Sequence, residues 1–339
     1  MSLFRPLRES GMQAPTLIEH ILRSQPHEAS GELSRILARL SLAGRMIAQR
    51  ILNAGFLGEH GEAGSTNVQG EEVKKLDILS NDIFIRVFET LPSVNALGSE
   101  EMDDIFYYDD AEKRGKYLVL FDPLDGSGNI DINGSLGSIF SVHRRSGSGG
   151  RAQLSDFLQP GKDQVAAGYI LYGPATVFVY TVRGQNSVSV FTLDRSIGEF
   201  FLTAEGVRIP EGKGTYSVNE SNESKWDPKV VDLVRSFRVG EAPVGKRAAR
   251  YTGALVADFH RTLLKGGIFM YPALSDRPRG KLRYLYEASP LAMIAVSAGG
   301  AASDGSIPTL DLQPKELHER CPLYIGSKAD VAYAIEALK

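Results

Sequence analysis

The segment FDPLDGSGN, at residues 121–129, follows the apolar run YLVL at residues 117–120. The apolar run predicts a buried strand, and the proline and glycines after it predict a turn. The strand therefore delivers two carboxylates, those of Asp122 and Asp125, to a turn whose backbone is little covered by side chains. A turn of this composition is common as a plain connection between elements, so its meaning depends on the rest of the chain.

Length and composition limit the classes of protein to which the chain can belong. Its 339 residues exceed the usual size of a single core and predict two domains. The formal net charge of -3 offers no basic field for nucleic acid or an acidic membrane. No apolar run reaches the ~20 residues that span a bilayer, and no signal-peptide core is visible, so we expect a cytoplasmic protein. Cys321 is the only cysteine, which excludes an internal disulfide and a cysteine-bound zinc or iron–sulfur centre.

Segments with helical and strand patterns alternate along the chain. Helical spacing of apolar residues occurs in residues 33–51 and again in residues 76–87. Between them, five glycines in residues 55–70 predict a mobile loop that could serve as a lid. Runs of β-branched and aromatic residues then predict hairpin strands, and helices and strands alternate in the second half. We therefore expect an α/β (α+β) fold with mixed sheets and two domains, residues 1–203 and 204–339.

Further acidic residues suggest why the turn carries carboxylates. Glu100 and Glu101 follow another short apolar segment, and Glu71 and Asp77 flank the end of the glycine-rich stretch. Adjacent glutamates usually lie on a solvated surface. If several of these carboxylates converge, two of them 4 Å apart repel by about 1 kcal/mol in water and about 4 kcal/mol at an effective dielectric of 20. Convergence therefore requires positive charge, and Mg²⁺ is the natural candidate because it prefers oxygen ligands and is often completed by substrate phosphate.

The glycines of the turn supply a second requirement. Gly126 and Ser127 leave backbone N–H groups open, and such groups at a turn or helix start can bind a phosphate. One segment would then offer cation ligands beside an anion site. That combination indicates metal-assisted attack of water on a phosphate ester.

Five motifs together carry a resemblance to a known family. They are FDPLDGSGNID, the SEE upstream of it, NVQGEEVKKLDILSND, GGIFMYPA and GKLRYLYEASP. With these motifs the chain resembles class I fructose-1,6-bisphosphatase, within the magnesium-dependent, lithium-sensitive sugar and inositol phosphatases, from about residue 31 onward. The resemblance implies the sugar-phosphatase fold, a layered helix/sheet sandwich of two domains, and a homotetramer. It also implies hydrolysis of the 1-phosphate of fructose 1,6-bisphosphate, as in gluconeogenesis or the Calvin cycle, to fructose 6-phosphate and phosphate.

The resemblance assigns roles to individual acidic residues. It implies two or three Mg²⁺ ions per subunit, with Mn²⁺ or Zn²⁺ as substitutes. The residues that match metal ligands are Glu100, Asp122, Leu124 through its carbonyl, Asp125 and Glu287. Asp77, Glu101 and Glu71 match the carboxylates that orient the attacking water and take its proton, although the family usually has Asp where this chain has Glu71. On the residues alone, Glu287 is better explained as a carboxylate at a helix N-terminus.

Substrate contacts follow from the same resemblance. The residues that match contacts to the sugar and its 6-phosphate are Asn219, Tyr251, Tyr271 and Lys281, and the amides of Gly126 and Ser127 match the site for the 1-phosphate. Arg250 matches an arginine that reaches into the neighbouring subunit's site. Read alone, such tyrosines are more often core residues and such cations are more often solvated surface charges. Asn222 stands where the family often has another phosphate-binding tyrosine.

The segment SGELSRIL resembles the start of the family's AMP-binding helix. The residues that match this effector site are Ser30, Gly31, Glu32, Leu33, Ser34, Lys116, Tyr117 and Arg144. A helix N-terminus can bind phosphate, but an ordinary capped helix would show the same pattern. Ser30, Leu33 and Ser34 each differ from the pattern typical of strong AMP inhibition. The cysteine loop of plastid relatives is missing, so disulfide switching is not expected.

Other functions stay open on the sequence. A phosphatase of the same superfamily could act on sedoheptulose 1,7-bisphosphate, alone or in addition, or on an inositol phosphate. A non-catalytic regulator could keep the fold and bind a sugar phosphate, but it would not need so many mutually repelling carboxylates. A nucleotide-dependent kinase or dehydrogenase is disfavoured, because the sequence has no GxxxxGK[ST] and no GxGxxG after a strand.

Overall fold

The computed structural model describes residues 14–25, 29–57, 62–66, 72–147 and 149–339. The helices are α1 Leu17–Ser24, α2 Glu32–Leu57, α3 Lys75–Glu89, α4 Leu154–Phe157, α5 Pro228–Val239, α6 Leu255–Lys265, α7 Ser289–Ser297 and α8 Lys328–Ala337. The strands are β1 Glu62–Thr66, β2 Glu72–Lys74, β3 Val94–Ser99, β4 Phe106–Tyr107, β5 Tyr117–Asp125, β6 Leu136–Arg144, β7 Ala166–Tyr172, β8 Thr176–Val182, β9 Ser189–Asp194, β10 Glu199–Ala204, β11 Thr215–Ser217, β12 Ala248–Ala249, β13 Gly267–Tyr271, β14 Leu282–Arg283, β15 Ala301–Ser303, β16 Arg320–Cys321 and β17 Leu323–Gly326. A π-helical turn, Tyr284–Ala288, directly precedes α7.

Two mixed sheets form the framework. The first has eight strands in the order β10-β9-β8-β7-β6-β5-β3-β4, antiparallel except for the parallel pair β3 and β5. The second has five strands in the order β12-β11-β13-β17-β15, in which β11 runs parallel to both of its neighbours. The expected α/β class with mixed sheets is confirmed.

Side chains on opposite faces of the first sheet pack into different cores. Leu120 and Phe121 are neighbours on β5, and strand side chains alternate, so the two face opposite ways. Phe121 packs with α1, α2 and α3 in one core, whereas Leu120 packs with α6, α7 and the inner face of the second sheet. The outer face of the second sheet packs against α5 and α8. The layers therefore run helix, sheet, helix, sheet, helix, which confirms the expected sandwich.

The helix predicted from apolar spacing near the N-terminus is confirmed, but it is longer than predicted. Leu40 and Ile47 are buried in the first core, as their spacing indicates. The helix α2 continues to Leu57, so part of the glycine-rich stretch predicted as a loop is helical. In the same stretch β1 pairs antiparallel with β2. Cross-strand pairing decides such a short strand, and composition does not reveal it. The rest of this stretch, and Glu71, lie outside the described residues.

The chain finishes the first sheet with β10 and begins the second with β11. The division into domains near residue 203 stays a prediction. None of the described helices has both the length and the apolar character needed to cross a bilayer.

Candidate active site

The motif FDPLDGSGN forms the end of β5 and the turn after it. The strand runs to Asp125, past the apolar run at residues 117–120 from which it was predicted, so both aspartates of the motif lie on the strand. A short 3₁₀ turn, Ser127–Asn129, follows. Gly126 has φ of +82°, and a Cβ there would lie 2.7 Å from the Cβ of Ala254. Only glycine fits this position, which lets the turn approach the N-terminus of α6.

A pocket of about 330 Å³ opens beside this turn. The predicted site residues that line it are Asp77, Glu100, Glu101, Asp122, Leu124, Asp125, Gly126, Ser127, Asn219, Tyr251, Tyr271, Lys281 and Glu287. The lining residues that had no predicted role are Gly128, Gly253, Leu255, Phe269, Leu282 and Arg283. Arg250 is not among the lining residues, and Glu71 lies outside the part of the chain that the structure describes. The fold therefore gathers segments that are far apart in sequence into one cavity.

Glu100, Asp122 and Glu287 form an acidic group that could hold a metal ion. One carboxylate oxygen from each lies within 4.8 Å of the others, and all three residues are buried. Glu100 follows β3, Asp122 lies on β5, and Glu287 comes from the π-helical turn in the second half of the chain. Three oxygen donors at this spacing suit a hard divalent cation. Glu287 lies directly before α7, but it also belongs to a buried acidic group, so a role at the helix N-terminus alone does not describe it.

Burial makes the charged form of this group costly. It raises the pKa of Asp122 well above its usual range, and the neighbouring Glu100 and Asp125 raise it further. Burial also raises the pKa of Glu287 to about 8, with Glu100 adding to the effect. These carboxylates stay ionised together at neutral pH only if positive charge joins them. The donor atoms and the electrostatics therefore both fit a divalent cation.

Arg283 supplies one positive charge to the acidic group, and the sequence reasoning missed it. Its guanidinium lies 2.5 Å from the Glu100 carboxylate, in an almost fully buried ion pair. Its backbone N–H donates to the Glu287 carboxylate at 2.5 Å. A signal was present, because an arginine inside the otherwise apolar run LRYLY implies a buried ion pair. One guanidinium cannot balance three carboxylates, so the group keeps a negative charge whenever all three are ionised.

Asp125 is held in a different way. Its carboxylate accepts hydrogen bonds from the N–H groups of Leu255 at 3.2 Å and Val256 at 2.7 Å, in the first turn of α6. The partial positive charge of a helix N-terminus stabilises such an anion. Burial nevertheless raises the pKa of Asp125 to about 7. Its predicted role as a metal ligand stays a prediction, because its oxygens already accept these two bonds and it lies outside the group of three.

Asp77 is a buried carboxyl in the first turn of α3. One of its oxygens accepts a hydrogen bond from the Lys74 N–H at 2.9 Å. Burial raises the pKa of Asp77 to about 7; the Lys74 bond opposes this shift and the nearby Glu100 adds to it. A pKa near neutrality suits a group that takes up a proton during a reaction. Glu101 is partly buried and lines the same pocket.

A second set of lining residues is neutral or basic. The Tyr251 side chain is hydrogen-bonded to Asn219 and to Tyr271, and burial raises its pKa. Lys281 lies just before β14 and brings an ammonium group to the same pocket. Hydroxyl, amide and ammonium groups of this kind can bind sugar hydroxyls and a phosphate. Arg250 is exposed and donates to a backbone carbonyl at 2.6 Å, and its reach into a neighbouring subunit's site stays a prediction.

A second pocket, of about 210 Å³, lies at the start of α2. The predicted effector residues that line it are Ser30, Gly31, Glu32, Leu33, Ser34 and Tyr117. Lys116 forms an ion pair with Glu32 at 2.8 Å. Arg144 is exposed at the end of β6 and is not among the lining residues. The structure thus brings most of the predicted set together. Lys116 belongs to this set, and its charge is already paired with that of Glu32, another member.

Comparisons with known proteins agree along nearly the whole chain. The family models described as "Fructose-1-6-bisphosphatase, N-terminal domain" and "Fructose-1-6-bisphosphatase, C-terminal domain" match residues 15–205 and 209–339. Class 1 fructose-1,6-bisphosphatase of Trichormus variabilis is 47% identical over 321 residues, which cover 94% of this chain and 90% of that protein. The Chlorobium luteolum protein of the same name is 45% identical over 328 residues, which cover 96% and 98%. Leishmania major fructose-1,6-bisphosphatase in holo form matches with a TM-score of 0.90 at 38% identity, covering 96% of this chain and 100% of that one.

The layered fold and the acidic pocket define a phosphatase of sugar phosphates. The chain belongs to the fructose-1,6-bisphosphatase family, and the resemblance to its class I members is confirmed. It is an enzyme, a phosphoric monoester hydrolase of carbohydrate metabolism, and the family is metal-dependent.

Proposed function

We propose that this pocket hydrolyses the 1-phosphate of fructose 1,6-bisphosphate to fructose 6-phosphate and inorganic phosphate. The observation that carries the proposal is the buried group of Glu100, Asp122 and Glu287, with oxygens within 4.8 Å of one another, in the pocket that the turn after β5 lines. A protein that only binds a sugar phosphate would gain nothing from carboxylates that repel one another and the ligand. Membership of the family supports the choice of substrate.

Mg²⁺ is the cation that we propose, in two or three sites per subunit, with Mn²⁺ or Zn²⁺ as substitutes. The residues that would hold it are Glu100, Asp122 and Glu287, joined by the carbonyl of Leu124 and the carboxylate of Asp125. When bound, such cations neutralise the carboxylates and the phosphate, lower the pKa of water and stabilise charge on the leaving oxygen. Arg283 adds a fixed positive charge beside Glu100.

The chain itself binds the phosphate and moves the proton. Gly126 and Ser127 line the pocket and offer their N–H groups to oxygens of the 1-phosphate. Burial raises the pKa of Asp77 to about 7, so this carboxylate takes the proton of the attacking water, and Glu101 shares this role in the same pocket. Glu71 is proposed for the same role from the resemblance alone.

Substrate selection is proposed to lie in the second half of the chain. Asn219, Tyr251, Tyr271 and Lys281 would bind the sugar and its 6-phosphate, because they bring neutral donors and a cation to the pocket that holds the acidic group. We propose that residues 1–203 form the metal-binding domain and residues 204–339 the substrate-binding domain. Exposed Arg250 would then complete the site of a neighbouring subunit in a homotetramer.

A phosphate-release assay tests this proposal. The purified protein is given fructose 1,6-bisphosphate, sedoheptulose 1,7-bisphosphate or an inositol monophosphate, each with and without Mg²⁺. We expect release that depends on Mg²⁺ and is fastest with fructose 1,6-bisphosphate. Equal or faster release from the seven-carbon sugar would assign a dual or different bisphosphatase. Tight binding of a sugar phosphate without any release would instead identify a regulator.

A further inference from the structure

Glu287 reaches the acidic group from the π-helical turn Tyr284–Ala288. Turns of this type are rare and occur frequently at functional sites. The Glu287 carboxylate accepts a hydrogen bond from the Arg283 N–H at 2.5 Å, so it bends back to the start of its own turn. Its position therefore depends on what holds that turn in place.

The start of the turn is held by the hydroxyl of Tyr284. This hydroxyl accepts a hydrogen bond from the Gly161 N–H at 2.7 Å and donates one to the Leu312 carbonyl at 2.9 Å. Tyr284 is only 1% exposed. Because the site is closed to bulk water, loss of the hydroxyl would leave a buried donor and a buried acceptor without these partners.

The end of the turn is held by Gln164. Its amide nitrogen lies 2.9 Å from the Oγ of Ser289 and 3.0 Å from the Ser289 carbonyl oxygen, directly after the turn. The same nitrogen lies 2.7 Å from the carbonyl oxygen of Gly161. Gln164 and Ser289 are both buried. Both ends of the π-helical turn are thus connected to one short segment, residues 161–164.

The segment formed by residues 161–164 shortly precedes β7 of the first sheet. The same sheet contains β5 with Asp122 and β3, which Glu100 follows. The approach is close, because a Cβ on Gly161 would lie 2.6 Å from the Oγ of Ser289. The hydrogen bonds therefore fix the turn that carries one carboxylate relative to the sheet that carries the other two.

We propose that Tyr284, together with Gln164, is a positioning residue that fixes Glu287 against Glu100 and Asp122 for cation binding. The inference rests on the proposed role of Glu287 as a metal ligand. Groups that orient a metal ligand without touching the ion typically contribute about 10- to 100-fold to metal affinity. Here the orienting groups act through the backbone of the turn.

The chain offers a matched comparison on the same turn. Tyr286 is also buried, but its hydroxyl has no hydrogen-bond partner among the described residues. Tyr284→Phe and Tyr286→Phe therefore remove the same atom from the same turn, and only the first removal breaks a connection to residues 161–164. Gln164→Met removes the hydrogen bonds from Gln164 to Ser289, and so breaks the connection between residues 161–164 and the end of the turn.

The test uses the metal-free full-length protein with Mn²⁺ as the probe, and electron paramagnetic resonance measures free Mn²⁺. We expect Tyr284→Phe and Gln164→Met to weaken Mn²⁺ binding about tenfold, and Tyr286→Phe to change it by less than about twofold. In activity assays, Tyr284→Phe should raise the Mg²⁺ concentration for half-maximal rate and leave the substrate KM at saturating Mg²⁺ unchanged. Thermal unfolding shows which variants fold, and if Tyr284→Phe does not fold, Gln164→Met carries the test.

Glu287→Gln separates this inference from the proposed function. If Glu287→Gln binds Mn²⁺ like the unmodified protein, the metal role of Glu287 is wrong. If Glu287→Gln weakens binding while Tyr284→Phe and Gln164→Met do not, the metal role stands and the positioning role is wrong. Equal weakening by Tyr284→Phe and Tyr286→Phe would also overturn the positioning role, because the hydrogen bonds would then make no difference.

Discussion

The active-site pocket and the pocket at the start of α2 differ in how their charged side chains are balanced. In the active-site pocket, burial raises the pKa of Asp122 and Glu287, and the Arg283 guanidinium forms an ion pair with Glu100 of the same group. At the start of α2, by contrast, Glu32 forms an ion pair with Lys116 at 2.8 Å, and this bond lowers the pKa of Glu32. Buried negative charge that the protein's own cations do not neutralise requires a cation from solvent. An ion pair that is already neutral does not require a ligand.

The largest effect on activity is expected in the active-site pocket, where the carboxylates of the acidic group outnumber the guanidinium paired with them. Asp122→Asn removes one member of the acidic group while keeping its size, and its carbonyl oxygen can still accept the Leu124 N–H bond that Asp122 accepts at 3.0 Å. We expect kcat/KM for fructose 1,6-bisphosphate at saturating Mg²⁺ to fall about a thousandfold or more, which corresponds to roughly 4 kcal/mol of transition-state stabilisation. A steady-state phosphate-release assay measures it.

The same substitution should also change the stability of the metal-free protein. Removing a buried negative charge relieves repulsion, so the metal-free Asp122→Asn protein should unfold at a higher temperature than the metal-free unmodified protein at pH 8. Asp104→Asn is the control, because this residue is exposed and the change is the same. Near-normal turnover in Asp122→Asn, or a lower unfolding temperature, would contradict the account of the acidic group.

An intermediate effect is expected on the unfolding temperature when the metal is removed and the pH is changed. Burial raises the pKa of Asp77 and Asp125 to about 7 and that of Glu287 to about 8, so the folded state binds these protons more tightly than the unfolded state does. Their contribution to stability is complete below pH of about 4 and is lost as the pH rises through 7 and 8. In EDTA, we expect the unfolding temperature to fall by roughly 5 °C between pH 6.5 and 9, measured by scanning calorimetry.

Mg²⁺ should largely abolish this pH dependence, because the cations replace the protons. The chosen range avoids the titration of the buried His143 and the half-buried His260 in the folded protein, because desolvation lowers the pKa of each to about 4. Their contribution to stability is present above pH of about 6.5 and is lost only as the pH falls toward 4. A metal-free protein whose unfolding temperature stays level or rises between pH 6.5 and 9 would show that the acidic group is not under electrostatic strain.

Much of the fold could be predicted because it follows from the spacing of apolar residues within short segments of the sequence. Leu40 and Ile47 revealed α2 by their spacing, and the apolar run before Asp122 revealed β5, because burial on one helix face or inside a sheet leaves a periodic trace in the sequence. The length of α2 and the short strand β1 were missed. Cross-strand pairing and continuation of a helix into a glycine-rich stretch are decided by neighbours, not by composition.

Some residues of the candidate site could likewise be predicted from the sequence, and others could not. The carboxylates and glycines of the motif were identified from the residues themselves and Glu287 by resemblance, and the structure gathers them in one pocket with Asp77. The N–H groups of α6 that hold Asp125, and the connection from Tyr284 to Gly161, join segments more than one hundred residues apart. No local pattern records such contacts, so they become visible only once the sheets and helices are packed.

The smallest effect is expected in the second pocket, where the charges are already paired. The Lys116 and Glu32 side chains are 35% and 22% exposed, and pairs of this kind contribute only about 0–1 kcal/mol, so Glu32→Gln should leave the unfolding temperature and the basal rate nearly unchanged. Its effect should appear with AMP, which we propose as the effector. Loss of the carboxylate frees the Lys116 ammonium for a phosphate, so the AMP concentration for half-inhibition should fall roughly threefold, whereas Lys116→Gln should raise it. Rates measured against AMP at fixed Mg²⁺ decide the matter, and if both variants respond to AMP like the unmodified protein, the pocket is not the AMP site and its ion pair serves only the start of α2.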